Sequence, residues 1–199
     1  MSVVDKVLGA LTPPESDEAR REATQKARAL SRGDDWLAMA LDHHEAIRAA
    51  FETCRTADTP HARKAAMRSL GEVLNGHALA EEVVLYPAMA KADEKGHAGM
   101  AYSEQTTTKM QMAELERIDP EKDAWLDKLE HIRGAVLHHM YEEEHTWFPE
   151  LLQQYEDQAF LTLRFCEEYE RYCGVGGEDL DERAAHAPRD EPRSFVSRI

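Results

Sequence analysis

Two segments of the sequence repeat the same set of histidine, glutamate, aromatic and proline residues. Each begins with a histidine, has a glutamate four residues later and a second glutamate directly after it, and ends with an aromatic residue followed by proline. The segments run from His77 to Pro87 and from His139 to Pro149. Residues four apart share one face of an α-helix, so each His–Glu pair can bind one ion. Imidazole and carboxylate suit iron and other first-row metals.

Apolar residues at three- and four-residue spacing indicate which way these pairs point. The stripe of the first segment consists of Leu70, Leu74, His77, Glu81 and Leu85. The stripe of the second consists of Leu129, Ile132, Val136, His139, Glu143 and Trp147. An unpaired charge on such a face would cost several kcal/mol to bury, a cost that a bound metal removes. The alternative is a hydrogen-bonded His–Glu pair buried in each helix.

Adjacent histidines occur in an earlier amphipathic segment. His44 continues the apolar stripe formed by Leu37, Leu41, Ile47 and Phe51, so we predict that it is a third inward histidine. His43 shares a weaker face with two alanines and stays an alternative. The remaining histidines are predicted at the surface, behind the ligands, or in turns and the tail: His61, His97, His131, His138, His145 and His186.

The composition predicts a helical protein of one main domain. The chain has 199 residues with 42% hydrophobic and 32% charged residues, and proline and glycine are few. Its formal net charge of −15 argues against binding to nucleic acid or to anionic lipid, both of which require a basic surface. Motifs for phosphate-binding loops, dinucleotide binding and serine hydrolases are absent from the sequence.

Capping residues and prolines predict where the helices begin and end. The predicted helices run from Asp34 to about Thr56, Pro60 to Lys91 with a kink at Pro87, Met100 to Arg117, Pro120 to Pro149 and Asp157 to Tyr172. Short connections predict an all-α, up-down antiparallel four-helix bundle with short helices at both ends. We assign residues 1–33 to a partly helical leader, 34–173 to the bundle and 174–199 to a loose tail.

The sequence also bears on the cellular compartment. No apolar run is long enough to span a bilayer, and the N-terminal segment lacks the features of a secretory signal. The three cysteines, Cys54, Cys166 and Cys173, include no C-x-x-C pair. We interpret them as reduced thiols of a cytoplasmic protein.

The motifs around His43–His44, His77–Pro87 and His139–Pro149 resemble those of the hemerythrin-like, or HHE cation-binding, family. The resemblance covers roughly residues 37–150 and implies a four-helix bundle with an oxo- or hydroxo-bridged di-iron centre. A site with a single iron is the alternative. It implies the metal ligands His44, His77, Glu81, His139 and one carboxylate of the pair Glu143–Glu144. Helical spacing favours Glu143, and Glu144 remains an alternative.

The chain departs from the family pattern on its third bundle helix, which usually supplies a histidine. Gln105 stands at that position on the inward stripe, and a neutral amide is a poor iron ligand. Either Glu104 or Tyr102 coordinates instead, or one iron position has fewer ligands. Reversible oxygen carriage is therefore less expected.

The resemblance implies a protein that reacts with or senses a small diatomic molecule or peroxide, namely O2, NO or H2O2. The alternatives are an iron storage or delivery module, a peroxidase- or catalase-like enzyme, and an interaction protein stabilised by a metal. An enzyme would need a proton donor, for which Tyr102, Glu82 and Glu144 are candidates. The sequence does not distinguish a monomer from a homo-oligomer.

Overall fold

A computed structural model describes residues 15–92 and 95–174 of the chain, and its regular elements in these ranges are all helical. The helices are α1 (Asp17–Leu30), α2 (Trp36–Thr56), α3 (Pro60–Ala80), α4 (Tyr86–Lys91), α5 (Lys95–Leu115), α6 (Asp123–Glu142), α7 (Phe148–Gln154) and α8 (Gln158–Cys173). No helix in the described ranges is long and apolar enough to cross a membrane. Most of the predicted C-terminal tail, residues 175–199, lies outside them.

The predicted helix boundaries are confirmed where a cap fixes them. The side chain of Asp35 accepts from the N–H of Ala38 and starts α2. Thr59 caps α3, whose first residue is Pro60. Gly174, with φ of +66°, ends α8 in the left-handed conformation that glycine adopts without strain.

The predicted loop ahead of the third bundle helix is wrong. The sequence led us to expect irregular structure as far as Gly99, but α5 begins at Lys95. Ala98 and Ala101 are both buried, so packing against the core outweighs the low helix propensity of the glycines. The next helix, α6, starts at Asp123, three residues later than expected.

Two π-helical turns interrupt the long helices at equivalent places. Residues Glu81–Leu85 join α3 to α4, and residues Glu143–Trp147 join α6 to α7. The N–H of Tyr86 bonds to the carbonyl of Glu81, five residues back, where a regular α-helix would bond four residues back. The predicted irregularity at Pro87 therefore exists, but it begins at Glu81.

The apolar core consists of two clusters with polar residues between them. One contains Trp36, Leu85, Trp147 and Phe148, and the other contains Ile47, Phe51, Leu70, Trp125 and Leu129. The buried polar residues on the long helices lie where one cluster gives way to the other. The all-helical fold is confirmed, and the up-down order of a four-helix bundle stays a prediction.

Helix α1 belongs to the segment that we assigned to a leader. Ala23 and Ala27 are buried on its inner face, and α1 contacts both α2 and the second π-helical turn. The helix predicted around residues 18–30 is therefore present and packs on the bundle. The domain boundary at residue 33 stays a prediction.

Candidate metal centre

Four buried side chains, each from a different helical element, lie close together. His44 comes from α2, His77 from α3, Glu81 from the first π-helical turn and Glu143 from the second. One ligand atom from each lies within 4.8 Å of the others. The sequence analysis predicted all four residues as ligands.

Within the described residues, the atoms that face the centre of this group form no hydrogen bond of suitable geometry. They are His44 Nε2, His77 Nε2, Glu81 Oε1 and Glu143 Oε2. His77 Nε2 lies 3.1 Å from Glu81 Oε1, and His44 Nε2 lies 3.3 Å from Glu143 Oε2. Buried polar atoms are nearly always paired in folded proteins because leaving them unpaired is costly. Two imidazoles and two carboxylates are a donor set that fits a first-row transition metal, which would give all four atoms a partner.

His139 lies beside the second oxygen of Glu143. Its Nε2 lies 3.2 Å from Glu143 Oε1 and 3.1 Å from the hydroxyl of Tyr86. That hydroxyl also lies 2.9 Å from Glu143 Oε1 and 3.1 Å from Glu81 Oε2. Each carboxylate therefore has one oxygen beside a histidine of the first group and the other beside Tyr86.

The analysis of the sequence missed Tyr86 as a site residue. In a regular α-helix, five residues turn the chain by about 500°, so Tyr86 would lie about 140° away from Glu81 around the helix axis. The π-helical turn absorbs an extra residue and returns Tyr86 to the side of Glu81. The signal in the sequence was the aromatic–proline pair that closes the motif, because Pro87 cannot donate to a regular helical hydrogen bond.

Helix α5 contributes Gln105 to the site, as its place on the inward stripe predicted. Gln105 is buried, and its Nε2 lies 2.6 Å from Glu81 Oε2 and donates also to the hydroxyl of Tyr86. The two proposed substitutes for the missing histidine do not join the group. Tyr102 donates to the carbonyl of Glu82 at the surface, and Glu104 lies behind His139.

Two carboxylates contact the outer nitrogens of candidate ligands. Glu104 Oε2 lies 2.8 Å from His139 Nδ1, and Glu144 Oε1 lies 2.7 Å from His44 Nδ1. Glu144 was our alternative to Glu143 as a ligand, but it lies on the opposite side of the His44 ring from the cluster. Carboxylates in this position fix the tautomer and orientation of a ligating imidazole.

His43, the alternative to His44, is outside the group of four. Its ring stacks on Tyr169 with centroids 3.8 Å apart and on Phe165. Burial, with a smaller contribution from His44, lowers the pKa of His43 to about 4. His138, expected at the surface or behind the ligands, is half-exposed and contacts Glu15 through its Nδ1.

Burial and neighbouring charges shift the pKa values of the buried histidines and glutamates of the site. Burial, and then the neighbouring Glu143, raise the pKa of Glu81 well above its usual value. Burial also opposes ionisation of Glu143, but His139 and His44 outweigh it and lower the pKa of that carboxyl. Burial, and then His44, lower the pKa of His77 well below its usual range. His77 is therefore a neutral imidazole at physiological pH, the form that binds metals.

A small cavity adjoins the cluster on the side of α5. Its volume is about 20 Å³, which is room for one water-sized molecule. The polar residues around it include His77, Gln105 and His139. Its apolar walls come from Ile47, Leu74, Val136 and Met140.

Comparison with known proteins identifies the family. Residues 37–151 match the hemerythrin HHE cation binding domain, and the chain belongs to that family. A DNA nickase of Nostoc sp. is 26% identical over 108 residues, which are 54% of this chain and 30% of that protein. The chain thus spans less than a third of that relative's length. No solved structure matches the chain.

Proposed function

We propose that the chain binds two iron ions at this cluster and reacts there with O2, NO or peroxide. The observation that carries the proposal is the set of four buried ligand atoms without partners, drawn from two histidines and two glutamates. Membership of a cation-binding family supports the same conclusion. Storage and delivery of iron remain outcomes of the test below.

The contacts support a division of the ligands between two positions. His44 and His77 would hold the first ion, together with Glu81 Oε1 and Glu143 Oε2. His139 would hold the second ion, together with the other oxygens of both glutamates. Each glutamate would then offer one oxygen to each position, and carboxylates from facing helices are the usual ligands of di-iron helical bundles.

Bound iron would supply one-electron redox chemistry and an open coordination position for a small molecule. The chain itself supplies access, orientation and hydrogen-bond donors. The cavity beside His77 and His139 admits one small molecule, and its apolar walls suit uncharged O2 or NO. Burial raises the pKa of Tyr86 well above its usual value, so its hydroxyl stays protonated and can donate a hydrogen bond. Gln105 adds a second neutral donor on the same side.

Cleavage of DNA is the second candidate, and it rests on the relative named a DNA nickase. The match covers 30% of that protein, and the net charge of −15 opposes binding to phosphates. A plasmid-relaxation assay distinguishes the two candidate functions, because only cleavage of DNA would relax a supercoiled plasmid.

The test is a comparison of wild type with His77→Ala after anaerobic loading with Fe²⁺. Each protein is mixed with O2, NO or peroxide while absorbance and consumption of the reagent are recorded. We expect wild type to react and His77→Ala to lose most of the reaction, while His131→Ala, which changes an exposed histidine of α6, behaves as wild type. Iron that a chelator removes freely, with no reaction toward any of the three reagents, would instead support storage or delivery. Metal-dependent relaxation of a plasmid, with no reaction toward the three reagents, would favour cleavage of DNA.

A further inference from the structure

Glu144 is buried and its carboxylate has partners from two helices. The residue as a whole is 1% exposed. On α2, His44 Nδ1 lies 2.7 Å and Arg48 Nη2 lies 2.6 Å from Glu144 Oε1. On α1, the hydroxyl of Thr24 donates to Glu144 Oε2. The carboxylate is therefore held in one orientation by groups on two different helices.

This arrangement orients the candidate ligand His44. A carboxylate that accepts from Nδ1–H leaves the lone pair on Nε2, and His44 Nε2 is the atom that faces the cluster. The ring of His44 is also stacked against Phe148. Glu144 therefore determines which nitrogen of His44 is available to a metal and where it points.

The two histidines with carboxylates behind them are held unequally. Glu104, behind His139, is 34% exposed, whereas Glu144 has no exposed side-chain surface. Arg48 balances the buried charge of Glu144, and a hydrogen bond to an ionised group is stronger than one between neutral groups. The His44 side is therefore the more rigid half of the site.

Thr24 lies outside residues 37–151, the range that matches the family. It reaches Glu144 because α1 packs through Ala23 and Ala27 on the bundle. A salt bridge between Arg20 and Glu15, and a contact from Glu15 to His138 of α6, fix the start of α1 in addition. A segment beyond the matched domain thus contacts the group behind a candidate metal ligand.

We propose that Thr24 and Glu144 form a relay from α1 that positions His44 and thereby sets the affinity of the first metal position. Helix α1 then contributes to the metal centre. This inference rests on the proposed function, because it requires His44 to bind a metal. Both residues act through His44 and do not touch the metal themselves.

The experiment titrates Co²⁺, as an optical probe of the first position, into metal-free protein in competition with a chelator of known affinity. Changing Thr24→Val removes the hydroxyl and keeps the shape, so we expect binding about threefold to tenfold weaker, with a shifted visible spectrum. Thr24→Ser retains the hydroxyl and should restore both. Thr53→Val on α2, whose hydroxyl bonds only to a backbone carbonyl in the structure, is the matched control. Glu144→Gln should weaken binding about 10- to 100-fold.

A Thr24→Val protein with the wild-type affinity and spectrum would overturn the inference. Equal losses in Thr24→Val and Thr24→Ser would also overturn it, because the hydroxyl would then not be responsible. His77→Ala separates this failure from failure of the proposed function. If His77→Ala loses Co²⁺ while the Thr24 variants do not, only the relay is wrong. If His77→Ala binds Co²⁺ as wild type does, the metal site itself is wrong.

Discussion

Gln105 Nε2 lies 2.6 Å from Glu81 Oε2, so α5 contacts the candidate metal centre through a neutral amide donor. The family that the chain resembles usually has a histidine at this position, and this chain has Gln105 there instead. An amide that donates to the carboxylate cannot replace the lone pair of an imidazole. The second metal position, beside His139, is therefore expected to have fewer strong ligands than the first.

Changing Gln105→His should tighten iron binding or, when iron is limiting, raise the iron content, because imidazole is a better iron ligand than an amide. It should also slow any reaction with peroxide or NO that needs the open position. Iron titration and stopped-flow kinetics on the same preparations measure both effects. Thr107→His, on the exposed face of α5, is the matched control. If Gln105→His resembled this control in stoichiometry, affinity and rate, Gln105 would not be part of the site.

Changing Tyr86→Phe should lower the stability of the metal-free protein by about 1–2 kcal/mol. The hydroxyl lies within hydrogen-bond distance of Glu81 and Glu143, and removing it takes one hydrogen-bond donor away from these buried carboxylates. Urea unfolding measures the change. Tyr102→Phe, whose hydroxyl bonds to a backbone carbonyl at the surface, should cost less. Equal losses in the two variants would contradict the role of Tyr86 in the site.

Changing Glu81→Gln should act in opposite directions on the metal-free and the loaded protein. Glu81 is fully buried beside Glu143, and burial followed by that neighbour opposes its ionisation. A neutral isostere should leave the metal-free protein equally or more stable. The loaded protein should lose the gain from binding, which is about 2.7 kcal/mol when free metal is 100 times the dissociation constant. Melting curves with and without iron test this.

The control for Glu81→Gln is Glu82→Gln, which alters only a partly exposed ion pair with Lys109. The loaded Glu82→Gln protein should keep the full gain in melting temperature. A Glu81→Gln protein that gained as much from iron as the control would show that Glu81 does not bind the metal.

The helix faces that carry the candidate ligands could be predicted from the sequence, because α2 and most of α3 and α6 are regular α-helices. His44, His77, Glu81 and Glu143 all lie where α-helical periodicity places them. The places of Tyr86 and Glu144 could not be predicted in this way, since both follow the first residue of a π-helical turn. A π-helical turn shifts every later residue around the helix axis.

The contacts of α1 with the bundle could not be predicted from the sequence either. Nothing in the pattern around Thr24 indicates that its hydroxyl meets Glu144, 120 residues later. The early start of α5 was missed because local glycines favoured a loop, and burial of Ala98 outweighed them. In each of these cases the deciding interaction is tertiary.

The buried thiol gives a prediction that is independent of the metal. Burial raises the pKa of Cys54 to about 11, so at pH 8 the thiol is protonated and inaccessible, whereas Cys173 is exposed. Iodoacetamide at pH 8 should therefore modify Cys173 in the folded protein and reach Cys54 only in denaturant. Because the folded chain retains this proton while the unfolded chain releases it near pH 9, the contribution of Cys54 to stability should fall as pH rises from 9 to 11. Labelling of Cys54 as fast as Cys173 in native protein would contradict the burial.

The most direct test of the central claim is the iron content per chain of protein reconstituted with Fe²⁺, measured by mass spectrometry of the metal in wild type and in three histidine variants. We predict two irons in wild type, at most one in His139→Ala, and a loss of the first position in His77→Ala. The control His131→Ala, which changes an exposed histidine of α6, should keep two. Wild type without stoichiometric iron, or His77→Ala and His139→Ala with the same iron content as His131→Ala, would contradict the account.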